Sequence, residues 1–308
     1  MKQFMALLAL AAASGLALAQ APVTGGTQAG AQKPATTESA GQTANGATQN
    51  AQTPAPPTGK HQPVAKTQEE YKAYQEAASK PDGPSTEAAA DAFAQKFPDS
   101  ELRGALYQRA MSLYQNANNA DKVIEMGRKT LSVEPDNGPA LVTVATFLAN
   151  RTRETDLDRD ERFAEAKKDA EKALELANTG DVVPAGTPPA QAGVYKDTLV
   201  SMAYAALGAI DFNNKNYSAA EQNLKKSVEP SQAQPDPISF YQLALTLQRE
   251  GKNADALQAT QKCVQVAAES PQVANVCKNL ESYLQKLVNN PPATSAPAPA
   301  SSSTPPPK

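Results

Sequence analysis

The 308-residue sequence contains no tryptophan, one histidine and two cysteines, and aromatic residues are sparse throughout. So few rings leave no stacking platform for nucleobases or sugars. The one histidine, His61, lies in a stretch with almost no bulky apolar residues. That argues against Ser-His and Cys-His nucleophiles and against histidine metal clusters. The two cysteines, Cys263 and Cys277, lack Cys-x-x-Cys spacing, so a catalytic redox role is not expected. No Lys/Arg cluster marks a nucleic-acid groove, and the net charge is −3 with a pI of about 5.4. A Gly-rich phosphate loop is also missing, because Gly25-Gly26 has no strand before it. A two-carboxylate hydrolase is the enzyme class left. The acids fall mostly on helix faces and turns, where charge is usually a solvated surface. The chain is therefore expected to be no enzyme and to hold no cofactor or metal.

What is present begins with Lys2 as a short basic segment, then an apolar run of Ala and Leu from Phe4 to Leu18. Ala17-Leu18-Ala19 follows the small-x-small rule of a cleavage site, so residues 1–19 read as a secretory signal peptide. An uncleaved anchor is the rival reading, but the run is short for a bilayer span. No cysteine near the site suggests a lipoprotein signal. No later stretch is apolar enough to span a bilayer, so no stable membrane insertion is expected after cleavage. Localisation should be periplasmic or secreted.

Residues 20–65 are Ala, Gln, Thr, Gly, Pro and Asn, and 291–308 are Pro, Ala and Ser. Neither segment can bury enough apolar surface to offset its ordering entropy, so both are expected to be disordered tails. A spacer role suits them.

Between them, 66–290 reads as all-α. Leu102, Ala105-Leu106, Ala110 and Leu113-Tyr114 follow the i, i+3, i+4, i+7 stripe. Val273, Val276-Cys277, Leu280, Leu284 and Leu287 do the same. Turn signals punctuate the run at 81–84, 98–100, 135–138, 229–230 and 250–253.

Two stretches share one register. Tyr204, Leu207-Gly208, Tyr217, Ala220, Leu224 and Ser227 align with Phe240, Leu243-Ala244, Asn253, Ala256, Thr260 and Cys263. Gly208 lies twelve residues before Ala220, and Ala244 twelve before Ala256. Met111 and Val123 keep that spacing, and Tyr107 to Leu141 and Met111 to Ala145 are both 34 residues. This pattern resembles the tetratricopeptide repeat, with units at about 67–100, 101–136, 137–178, 195–230 and 237–269 and a capping helix at 271–289. The third unit departs from it, since Ala145 to Ala166 spans twenty-one residues, with the extra ones at Arg151–Asp160. A further loop, Thr179–Pro188, follows. The resemblance implies a right-handed α-solenoid of stacked helix-turn-helix repeats, with a concave groove lined by first helices.

Cys263 and Cys277 each lie seven residues from the turn centre near 270, so a helical hairpin sets them opposite each other. In an oxidising compartment a disulfide fits, stabilising by about 3 kcal/mol for so short a loop. Two small buried thiols at a helix interface are the other reading. Asp156-x-Asp158-x-Asp160 looks like the start of a calcium loop, but its sixth and twelfth places hold Glu161 and Lys167, so a solvated acidic loop is expected.

From the matched pattern, the groove would present Gln108, Arg109, Gln115, Asn116, Thr143, Asn150, Phe212, Asn213, Tyr241, Gln242, Gln248 and Arg249. The paired Lys and Asn with which chaperone-binding relatives hold a terminal carboxylate are not assembled. Neutral amides, Tyr and Arg suit an extended peptide, whose backbone groups they can hydrogen-bond. The expected function is an exported scaffold for protein or peptide partners in the bacterial envelope. The alternatives are a peptidoglycan- or carbohydrate-binding or -processing protein, which would need paired acids in the concavity, and a self-associating spacer.

Overall fold

The computed structural model describes residues 63–180, 182–184, 187–229 and 236–290. The expected signal peptide at 1–19, residues 20–62 with His61, and residues 291–308 lie outside the described residues. Eleven helices follow one another, and no β-strand occurs among the described residues. They are α1 Gln68–Ala78, α2 Gly83–Lys96, α3 Leu102–Asn116, α4 Ala120–Val133, α5 Gly138–Arg151 and α6 Arg159–Thr179. Then come α7 Pro189–Asn213, α8 Tyr217–Val228, α9 Pro237–Arg249, α10 Asn253–Val266 and α11 Pro271–Asn289. Each packs mainly on its neighbours in sequence, the arrangement of an α-solenoid.

Local chemistry fixes where the helices start. Thr67 Oγ1 accepts from Glu70 N at 3.1 Å, Asp82 from Ser85 N at 2.8 Å, and Asn137 from Ala140 N at 3.0 Å. These are N-cap bonds that satisfy otherwise orphaned amides. Proline occupies the first turn of α2, α5, α7, α9 and α11, where its missing N–H costs nothing. Pro189 starts α7 six residues ahead of the sequence boundary at 195.

Three hairpins share one turn. The α3–α4, α7–α8 and α9–α10 turns each place one residue in the left-handed region: Asn118 (φ 57°), Lys215 (φ 63°) and Gly251 (φ 77°). In each, the next residue's amide reaches back to a carbonyl in the last turn of the first helix. Asn119 N donates to Tyr114 O at 3.0 Å, Asn216 N to Asp211 O and Lys252 N to Leu247 O, both at 2.9 Å. This is a Schellman-type ending. The twelve-residue spacing spans it in all three, with Met111, Gly208 and Ala244 seven residues before the left-handed residue.

A second shared turn leads from one hairpin to the next. Glu134 N donates to Thr130 O and Asn137 N to Glu134 O; Ala267 N donates to Cys263 O and Ser270 N to Ala267 O. Phe97 and Ser100 do the same between α2 and α3. Helix α11 is thus entered as a first helix. Pro271 lies 34 residues after Pro237, so Lys278 stands where α9 has Ala244, which is buried. An exposed lysine there ends the array.

The core runs along the helix stack. Leu106, Met111, Val123 and Met126 fill the N-terminal part, and Leu141, Val144, Leu148, Ala166, Ala170, Leu199 and Ala203 fill the middle. Leu224, Leu243, Leu247 and Leu284 fill the C-terminal end. A charged network pins α2 to the α3–α4 hairpin. Lys122 Nζ donates to Glu87 Oε1 at 2.8 Å, Lys129 Nζ to Asp91 Oδ1 at 2.9 Å, and Tyr107 OH to Asp91 Oδ1 at 3.0 Å. Burial, reinforced by Asp91, pushes the Tyr107 phenol up to about 12.

Candidate functional site

The first helices come together on one side of the stack. Gln242 Nε2 on α9 donates to Asn150 Oδ1 on α5 at 2.9 Å, across an entire hairpin. Between them, Asn213 Nδ2 on α7 donates to Ala149 O at 3.0 Å. Side chains two hairpins apart can touch only where the stack curves inward, so α5, α7 and α9 share the inner side. Asn150 Nδ2 also donates to Thr146 O at 2.8 Å, which holds its amide plane. Gln242 retains acceptor capacity on its amide oxygen.

Two of the twelve groove positions do not line this surface. Thr143 is 1% exposed and Gln115 5%, so both are sealed within the stack rather than offered to a ligand. Thr143 stands in the stretch Ala140–Ala145, which is buried throughout, and Gln115 follows the core residue Tyr114, so both are taken up by helix packing. Several others are engaged. Gln108 Oε1 accepts from Asn137 Nδ2 at 3.1 Å, and an Arg109 guanidinium N–H donates to Lys80 O at 3.2 Å. Phe212 packs edge-on against Tyr217 with ring centroids 5.6 Å apart. Tyr241 is half-buried against the α10–α11 cluster. Asn116 and Arg249 are exposed, and Gln248 is partly so. The cluster that the fold assembles is Asn150, Asn213 and Gln242.

Cys263 and Cys277 are joined as a disulfide between α10 and α11, with Cα atoms 5.9 Å apart. The three inserted aspartates face their own loop. Asp156 Oδ2 accepts from Arg153 N at 2.9 Å, Asp158 Oδ2 from Arg162 Nε at 2.8 Å, and Asp160 Oδ1 from an Arg159 guanidinium N–H at 2.8 Å.

Two features escape the sequence pattern. A buried polar chain crosses the last hairpins: Ser201 Oγ donates to Ser227 O at 2.6 Å, and Ser227 Oγ to Ser239 Oγ at 2.9 Å. Ser239 Oγ donates in turn to Asp236, which caps α9 by accepting from Ile238 N and Ser239 N at 2.8 Å. Burial pushes the Asp236 carboxyl up to about 6 against these donors. Small hydroxyls at repeat positions such as Ser227 are the only sequence trace of this chain. The second feature is a cleft of about 680 Å³ between α8, α9 and α10. Phe240, Leu243 and Leu247 form its floor, and Lys225, Lys262, Gln258 and Gln265 its rim. No local pattern announces it, because its walls come from two hairpins.

Among the described residues no group of three or more His, Cys, Asp or Glu side chains is arranged to hold a metal ion. No described helix is long and apolar enough to cross a membrane. No protein-family model and no characterised protein matches this chain.

Proposed function

We propose that the chain is an exported, non-enzymatic scaffold of the tetratricopeptide type, holding an extended peptide segment of a protein partner in the bacterial envelope. The observation that carries this reading is the convergence of Asn150, Asn213 and Gln242 from three successive hairpins. Side-chain amides donate and accept, so a ladder of them can exchange its internal bonds for the N–H and C=O groups of a peptide backbone. The shared Schellman turns and the 34-residue interval support the repeat type, and with it a right-handed stack. The Ala/Leu leader with its Ala-Leu-Ala site supports export.

The test is recovery of partners from an envelope extract with wild-type chain and with an Asn150→Ala/Gln242→Ala variant. A partner recovered by wild type and lost at least tenfold by the variant supports the inner face. Equal recovery by both removes it.

A further inference from the structure

The inner face changes chemistry at its C-terminal end. Because α11 follows α9 at 34 residues, Val276 and Tyr283 occupy the positions that Gln242 and Arg249 hold in α9. Val276 is 45% exposed and Tyr283 49%. Leu280 and Leu287 lie beside them, half-buried against the core. On a helical projection the four fall within one narrow stripe of α11. An exposed apolar stripe this continuous marks a surface that is covered by something.

The chain's own tails do not suit. Residues 291–308, which leave directly from the end of α11, contain no Leu, Ile, Val, Met or aromatic residue, and 20–62 contain only Val23. Nor does the stripe continue the chemistry of the peptide face, which is polar at Asn150, Asn213 and Gln242. The face of α11 that a further second helix would cover is polar as well, at Lys278 and Ser282. Among the described residues, α9 is flanked on both sides, whereas α11 has one side open and can accept a whole helix.

We infer that this stripe is where a second copy of the chain docks, α11 against α11 in antiparallel pairing about a two-fold axis. Such an interface must be self-complementary. With the axis between Glu281 and Ser282, Val276 meets Leu287 of the other copy, and Leu280 meets Tyr283. The stripe therefore reads the same in both directions, an aliphatic end against an aliphatic end and an aromatic against an aliphatic centre. Charge agrees with this register. Lys286, beside the stripe, falls level with Cys277 of the other copy and near its Asn275 and Asn279. The two lysines lie about 14 Å apart along the helices, too far to repel strongly in salt. Four side chains per copy form a small interface, so the association is weak and reversible. The disulfide holds α11 on α10 and fixes the orientation in which the stripe is presented.

This inference is independent of peptide binding. Its test is sedimentation velocity of the purified, oxidised chain from about 1 to 200 µM, a range that brackets weak association. Wild type is expected to shift from monomer to dimer within that range. Val276→Lys/Tyr283→Lys is expected to weaken the dimer at least tenfold, with an unchanged far-UV circular dichroism spectrum showing that the helices persist. A wild type that stays monomeric throughout would overturn the inference, whether the stripe is then covered by the tail or by another protein. A variant that dimerises like wild type would overturn it too.

Discussion

Gly208 on α7 lies so close to Leu224 on α8 that a Cβ at 208 would sit 2.6 Å from the leucine Cγ. The hairpin closes over that gap, and Leu224 is fully buried. Gly193, in the same helix, has nothing within 4 Å of the equivalent Cβ position.

These two glycines make opposite predictions. Gly193→Ala should stabilise by up to about 1 kcal/mol, the helix-propensity difference between glycine and alanine. Gly208→Ala should destabilise by about 1–3 kcal/mol despite that gain, because overpacking displaces a branched core side chain. Urea titration of both variants checks this, and equal effects would show that the α7–α8 spacing is not tight.

Glu221 joins the α7–α8 and α9–α10 hairpins. Its carboxylate takes Lys225 and Lys252, each at 2.6 Å, with the glutamate side chain 11% exposed. Those lysines hold its carboxyl down at about 2, below the ordinary value of 4.5. The folded pKa is depressed, so the contribution is present above about pH 4.5 and is lost as pH falls toward 2. Glu221→Gln should cost about 1–2 kcal/mol at pH 7, given the exposed lysines. Denaturation at pH 7 and pH 3 should show that cost shrinking in acid.

Asp169 works in the opposite direction. It is 9% exposed on α6, and its Oδ2 is buried with no hydrogen-bond partner. Burial, with Glu165 nearby, pushes its carboxyl up to about 6. The folded pKa is raised, so the group favours the native state below about pH 4, and that benefit is lost as pH rises through 6. At pH 7 it is a buried, poorly compensated charge. Asp169→Ala should therefore stabilise by about 1 kcal/mol at pH 7, a gain that disappears by pH 4. A destabilised variant at pH 7 would show instead that Arg128 and Lys172 compensate the charge fully.

Removing the disulfide should loosen one end only. A loop of this length is worth about 3 kcal/mol in the chain-entropy model. Solenoids fray from their ends, where each unit has one neighbour. In Cys263→Ser/Cys277→Ser, amide exchange should speed up in α11 and late α10, while α3 to α8 keep wild-type protection.

The hairpins themselves are legible in the sequence. Small residues at Gly208, Ala220, Ala244 and Ala256 sit at fixed distances from the left-handed turn residues, and proline opens α5, α7, α9 and α11. These are local signals, each readable within one hairpin. The inner face is not legible in the same way. Asn150 and Gln242 are 92 residues apart, and their contact depends on how three hairpins add up their curvature. Helix packing buries Gln115 and Thr143, which the repeat pattern alone assigns to an open groove. The insertion at 152–158, inside the α5–α6 hairpin, is visible as the stretched Ala145–Ala166 interval, whereas the early start of α7 at Pro189 is not.

The inner face as a binding surface is tested most directly by photo-crosslinking from single positions in the native host. A photoreactive residue at the exposed Arg249, two turns from Gln242 on the inner side of α9, is compared with one at the exposed Lys168 on α6. A discrete adduct with one protein partner is expected from position 249 and none from 168. Adducts from 168 alone, or the same adducts from both positions, would contradict it.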